Sequence, residues 1–315
     1  MNEFRCDALL ILTYGGPESP EEVPLYLDRL FAGRDVSPRA VAGGKARYAL
    51  IGGKSPIMDE ARALAAAFSE EFAPLPVFLG TLYAEPSAED ALCEIDRAGC
   101  RRVLVLIASP FGADGVRNRY TECLRRAAFR APRTEFVLAP PFSAHPKWIR
   151  AQADLVLSRL AGGELERIRW EGPDETGKDV LLFTAHSLPV SAAAGYAGEF
   201  EAACGAVVRA LSPRRLLWHA VYQSRSGPAA MWLGPDAGEF VRRIPALHPG
   251  VTDCLVVPIG FFFENLETAA DLDLDLAAAV RKENLKYRRA PAVSRAPEII
   301  EMVRGFLADP LPVLG

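Results

Sequence analysis

Short apolar runs alternate with amphipathic helical patterns along most of this sequence, and that alternation restricts the fold more than any other feature. Ala8–Leu12, Val77–Leu79, Val103–Ile107 and Phe136–Leu138 are too short for helices and read as buried strands. Helical segments lie between them, the clearest one starting at Pro56. Ser55 can cap it, Pro56 suits its first turn, and Ile57, Ala61, Leu64, Phe68 and Phe72 form one apolar stripe. A further helix is expected from about Pro146 to Leu160, stopped by Gly162-Gly163. Strands separated by helices build a parallel sheet with helices on both faces.

The pattern then breaks and restarts. Glu164 to Lys178 is charged, carries Gly172-Pro173, and marks the boundary between two lobes. Beyond it, strands are expected near Val180–Thr184, Leu216–Tyr222 and Cys254–Ile259. Helical segments surround Phe200–Leu211 and Pro235–Arg243, and an amphipathic helix near Pro297–Leu307 closes the chain. A length of 315 residues suits two domains at about 150 residues each. We therefore expect an α/β fold of two similar doubly wound lobes, each a parallel sheet flanked by helices. The lobes would span residues 1–160 and 161–315, with the last helix free to pack back on the first lobe.

The halves also echo one another. Leu9-Leu10-Ile11-Leu12-Thr13-Tyr14-Gly15-Gly16-Pro17 resembles Leu181-Leu182-Phe183-Thr184-Ala185-His186-Ser187-Leu188-Pro189: an apolar strand, a polar or aromatic tip, then proline. Ligands of open α/β sheets bind beyond the carboxyl ends of strands, so Tyr14 and His186 would stand at equivalent places facing one cleft.

Composition narrows the partners. A net charge of −4 gives no basic field to attract a polyanion, so nucleic acid is not an expected partner. Apolar stretches such as Leu255–Phe263, which contains Pro258 and Gly260, fall well short of the roughly 20 residues a bilayer span needs. A cytoplasmic protein is expected, with room left for transient contact with a membrane. The six cysteines form no C-x-x-C pair and are expected to be reduced thiols, mostly small buried hydrophobes.

With only four histidines, each can be weighed. His145 and His248 sit beside prolines in loop-like sequence and read as surface residues. His219 lies inside a strand and reads as a core histidine. His186 stands just past a strand end, where an imidazole can exchange protons near neutral pH. Carboxylates gather elsewhere: Glu264-Asn265-Leu266-Glu267, then Asp271, Asp273 and Asp275. On a helix Glu267, Asp271 and Asp275 would share one face. That line is either a solvated face or a loose hold on a divalent cation, and the Asp-Leu alternation also fits a strand. No phosphate-loop pattern and no nucleophile elbow is present.

These residues resemble the ferrochelatase family, enzymes that insert ferrous iron into a porphyrin, nearly end to end. Thr184-Ala185-His186-Ser187-Leu188-Pro189 is similar to the family's histidine signature. Gln223-Ser224-Arg225-Ser226-Gly227-Pro228 with Trp232-Leu233-Gly234-Pro235 is similar to a second segment, and Pro258-Ile259-Gly260-Phe261 with Leu266-Glu267-Thr268 to the segment carrying the catalytic glutamate. Tyr14-Gly15-Gly16-Pro17 and Tyr48 to Pro56 are similar to two more. The resemblance implies catalytic roles for His186 and Glu267, and a metal path through His186, Glu267, Asp271 and Asp275. It further implies porphyrin contacts at Tyr14, Arg47, Ser55 and Tyr120. Fe²⁺ is then a substrate, with no resident cofactor and no iron–sulfur cluster. Tyr14 at the first strand tip resembles the soluble members that use coproporphyrin III, which favours that porphyrin over protoporphyrin IX, and the resemblance leaves room for a transient contact with a haem acceptor. The residue two before the glutamate is usually histidine in the family and here is Asn265, which cannot take up a proton. A non-catalytic porphyrin or haem carrier, or a cobalt or nickel chelatase, are the competing expectations.

Overall fold

The computed structural model describes residues 4–32, 37–160, 178–212 and 216–309. Among the described residues, eight strands form two four-stranded parallel sheets. The first holds β1 (Ala8–Thr13), β2 (Val77–Thr81), β3 (Arg102–Ile107) and β4 (Glu135–Leu138) in the order β2-β1-β3-β4. The second holds β5 (Asp179–His186), β6 (Leu217–Gln223), β7 (Asp253–Val257) and β8 (Lys286–Arg289) in the order β6-β5-β7-β8. Every pairing is parallel. The two orders are the same pattern, so β1 and β5 hold equivalent places. Each is the strand from which the chain first winds one way and later the other, which is where an α/β sheet opens a crevice. The echo between residues 9–17 and 181–189 is thus a repeat of topology.

Helices in chain order are α1 (Val23–Phe31), α2 (Pro38–Leu50), α3 (Ile57–Glu71), α4 (Ala88–Arg97), α5 (Asp114–Ala127), α6 (Pro146–Leu160), α7 (Tyr196–Ala210), α8 (Ala237–Val241), α9 (Ile244–Leu247), α10 (Ala277–Lys282) and α11 (Pro297–Ala308). Alternation along the strands decides where they pack. Leu9 and Ile11 of β1 and Leu181, Phe183 and Ala185 of β5 point into one shared core, filled by α3, α6, α7 and α11. The intervening Ala8, Leu10 and Leu12 face α4 and α5, and Val180 and Leu182 face α8 and the helix that runs into α10. One core therefore spans both lobes; outside it the second lobe adds one smaller cluster and the first lobe two, the second of these around Val23, Tyr26, Leu27 and Tyr48. The closing helix α11 packs on α6, and the Arg5 amide donates to the Leu307 carbonyl at 2.9 Å, tying the end of the described chain to its start.

The expected linker from Glu164 to Lys178 lies outside the described residues apart from Lys178. One expectation needs correcting, and one pair of alternatives is decided. His219 is not a core histidine: β6 is an edge strand, and His219 is half-buried with its Nε2 3.0 Å from Nε2 of His248. Glu267–Leu276, open to a helical or a strand reading, is a π-helix. All six cysteines are unpaired, and among the described residues no helix is long and apolar enough to cross a membrane.

Candidate active site

Polar side chains gather where the carboxyl ends of β5 and β6 meet the start of the π-helix. Along β5, Val180 to Ala185 are buried, and His186 is the first residue to emerge. Gly260, just past β7, lets the following chain cross this strand closely. Its amide donates to the Thr184 carbonyl at 3.0 Å, and a Cβ there would stand 2.7 Å from Cα of Ala185. The approach aims the start of the π-helix at His186. Asn265 then fixes that start: its Oδ1 accepts from the backbone amides of Glu267 at 2.8 Å and Thr268 at 3.2 Å. The position where the family usually has histidine thus serves here as a backbone anchor.

Glu267, so held, brings Oε2 to 2.8 Å from Nδ1 of His186, with the two side chains 30% and 36% exposed. A carboxylate can only accept, so Nδ1 carries the hydrogen and neutral His186 keeps its lone pair on Nε2. Ser224, which follows β6, adopts φ 61°, a left-handed conformation unusual outside glycine. There its Oγ lies 3.0 Å from Glu267 Oε2 and also contacts Asp271. One hydroxyl hydrogen serves one carboxylate at a time, so Ser224 links the two acids without satisfying both. Arg47, from the last turn of α2 in the first lobe, contacts Asp271 and donates to Asp275 at 2.6 Å. In a π-helix, bonded i to i+5, a residue four on falls just short of a full turn, so 267, 271 and 275 stay on one side. Asp273 turns away, where Arg289 holds it through two donors at 2.7 and 2.8 Å and also donates to Glu264 at 2.9 Å.

A continuous line results, His186–Glu267–Ser224–Asp271–Arg47–Asp275. From Glu267 outward it borders a cavity of about 630 Å³ that Gln223, Arg225 and Arg242 also line. Burial alone would depress the imidazolium of His186, but Glu267 outweighs it, with Asp271 behind, and holds the ring above the ordinary histidine range. Arg119 of α5 opposes from the first lobe. For Glu267, burial favours the neutral acid, yet His186, Ser224 and Arg47 bring it below the usual carboxylate range. Asp271 goes the other way: burial, together with Glu267 nearby, raises it despite Ser224 and Arg47. In the free site His186 is thus drawn toward its protonated form and Glu267 toward its carboxylate, while Asp271 beside them is poorly compensated for its charge. Among the described residues no three His, Cys, Asp or Glu side chains converge on one metal position.

The other residues singled out from the sequence form a second group at the tip of β1. Tyr14 is half-buried and packs against Tyr120 (ring centroids 5.1 Å apart) and Tyr83 (5.4 Å). Tyr120 and Ser55 are 2% and 1% exposed, so both lie behind this surface. The groups meet where Leu266 packs on the cluster of Tyr26, Leu27 and Tyr48. Sequence reasoning missed the linking role of Ser224, the anchoring role of Asn265 and the tyrosines at 26 and 83. For Ser224 the available signal was the segment from Gln223 to Pro228, in which it stands directly after an expected strand and resembles the family.

Two sheets of one topology, with a histidine–carboxylate pair at a switch point between them, define a two-lobed chelatase architecture. Solved structures agree on the fold. Sirohydrochlorin chelatase SirB from Bacillus subtilis with Fe³⁺ superposes with a TM-score of 0.58 at 13% identity, covering 95% of this chain and 92% of that one. A cobalt complex of SirB from B. subtilis subspecies spizizenii gives 0.56 at 12% identity, covering 95% and 93%. The family model described as Ferrochelatase matches residues 6–309, and the chain belongs to the ferrochelatase family, enzymes that insert a metal into a porphyrin in haem biosynthesis. Relatives include a coproporphyrin III ferrochelatase of Frankia alni, 33% identical over 96% of this chain and 79% of that protein. Another from Propionibacterium freudenreichii is 32% identical over 94% and 84%.

Proposed function

We propose that this chain inserts Fe²⁺ into coproporphyrin III in the cytoplasm, with His186 as the base for the pyrrole N–H protons and Glu267 as its partner. The 2.8 Å contact between Nδ1 of His186 and Oε2 of Glu267 carries the catalytic part of the reading. The porphyrin rests on the relatives named coproporphyrin III ferrochelatase at 32–33% identity, and on Tyr14.

A flat porphyrin hides its nitrogen lone pairs and holds two N–H protons where the metal must sit. Walls that fit a bent macrocycle better than a flat one expose those nitrogens, at a strain of a few kcal/mol met by contacts elsewhere on the ring. In the free site His186 is drawn toward its protonated form, in which it cannot act as a base. A dication reaching Glu267 and Asp271 offsets the charges that stabilise the imidazolium, so arrival of the metal itself favours the neutral, basic ring. With Nδ1–H committed to Glu267, Nε2 receives the two pyrrole protons in turn, passing the first to solvent, to which His186 is 36% exposed, before taking the second. The carboxylate line replaces water on Fe²⁺ with oxygen ligands that release it readily. No resident cofactor enters this scheme.

Anaerobic Fe²⁺ insertion followed by absorbance tests both parts. His186→Ala should abolish turnover while porphyrin binding stays within a few-fold, and a mutant keeping most of its turnover removes His186 as the base. The wild type should favour coproporphyrin III in kcat/KM; a clear preference for protoporphyrin IX reverses the substrate.

A further inference from the structure

The resemblance puts Arg47 among the porphyrin contacts, yet its guanidinium lies on the acidic line. It reaches from α2 of the first lobe to the π-helix of the second, engaging Asp271 and Asp275 through different nitrogens. Both donors are committed to the carboxylates a metal ion would need. The Asp275 side chain is 61% exposed and marks the outer end of the line, while that of Asp271 beside it is 19% exposed. Arg47 thus covers Asp271 and Asp275, the two carboxylates that follow Glu267 along the π-helix.

We propose that Arg47 couples the two substrates: it closes the acidic line while the porphyrin is absent, and a carboxylate of the arriving porphyrin draws it off and opens Asp271 and Asp275 to the divalent ion. The inference rests on the reading above, in which the porphyrin carries carboxylates and the acidic line takes the metal. Three features of the site support it. A guanidinium fork fits a propionate as well as it fits an aspartate, so exchanging one partner for the other keeps its charge-assisted bonds. Asp275 is largely exposed and returns to water at little cost, which makes that half of the contact the easier to break. Glu267 is bonded to His186, whereas Asp271 and Asp275 have Arg47 as their bonded cation, so withdrawing Arg47 leaves two neighbouring carboxylates whose charge a divalent ion offsets. Arg47 acts through its neighbours and is a positioning residue. Because coupling is reciprocal, metal on the line should equally free Arg47 for the porphyrin.

The test is Mn²⁺ binding followed by the electron paramagnetic resonance signal of the free ion, with and without zinc coproporphyrin III, whose filled centre accepts no second metal. The zinc porphyrin should tighten Mn²⁺ binding to the wild type by about 5-fold or more, within the usual range of couplings between sites. Arg47→Met should bind Mn²⁺ more tightly without porphyrin and show no further gain with it. Arg47→Lys, with a single-point cation, should fall between. An unchanged gain in Arg47→Met, or weaker Mn²⁺ binding by that variant alone, overturns the proposal. Asp271→Asn with Asp275→Asn separates the two failures. If this pair loses Mn²⁺ and Arg47→Met leaves binding unchanged, only the coupling fails. If the pair leaves binding unchanged, the metal path fails and the coupling fails with it.

Discussion

Asn265→Ala removes one side-chain oxygen and thereby two of the contacts that fix the start of the π-helix, those to the amides of Glu267 and Thr268 at 2.8 and 3.2 Å. Losing a polar side chain from a helix start costs about 0.5–2 kcal/mol. Two half-buried amides losing one acceptor put this case in the upper half, about 1–2 kcal/mol. At about 2.1 cal/mol/K of unfolding entropy per residue, a chain of 315 residues loses about 2 °C of Tm. Glu267 is one of the two freed residues, so the loss should also appear in turnover. If all that energy served to hold the carboxylate on His186, kcat falls about 5- to 30-fold, at tenfold per 1.36 kcal/mol. Scanning calorimetry and anaerobic iron insertion measure the two effects. Asn265→Ser, which keeps a capping oxygen, should recover most of both. Wild-type Tm and kcat in Asn265→Ala would refute the anchoring role. So would an Asn265→His variant that gains activity at unchanged stability, since the position would then handle protons and not backbone.

The His186–Glu267 pair should also leave a mark on stability against pH. His186 is raised in the fold, so its contribution is complete below the ordinary histidine pKa of about 6.5 and fades as pH climbs through the elevated value. Glu267 is lowered, so its contribution is complete above the ordinary glutamate pKa of about 4.3 and fades as pH falls through the depressed value. The difference in urea stability between wild type and Glu267→Gln should therefore be greatest between those pH values and shrink on either side; a flat difference contradicts the pairing. Gly260→Ala would push a methyl against Ala185, one residue before His186. We expect about 1–3 kcal/mol of destabilisation in urea melts, as in other overpacked sites. Iron insertion should fall at least tenfold as His186 shifts, and a fully active variant would show that the close crossing has no part in aiming it.

Much of the frame was legible because it depends on local pattern. Uninterrupted apolar runs gave β1, β3 and β5, and the stripe from Ile57 to Phe68 gave α3. β8 was not seen, since Lys286-Tyr287-Arg288-Arg289 has neither an apolar run nor alternation, and it joins the sheet only by pairing with β7. His219 was misread because a strand's sequence does not say whether it lies at the edge of its sheet. The side-chain identities of the site, His186, Glu267, Asp271 and Asp275, could be read. The π-helical winding could not, because it depends on how Asn265, Glu264 and Asp273 are tied down and on no residue period. Nor could the partners of Arg47, which lie 224 and 228 positions away.

The layer between the sheets sets a limit on motion. Helices α3, α6, α7 and α11 share apolar neighbours on both sides, so swinging one lobe away from the other would expose the best-packed interior of the molecule. The jaws of the cleft are consequently stiff. On the proposed function, a ring bound between lobes joined in this way is bent by them and does not part them.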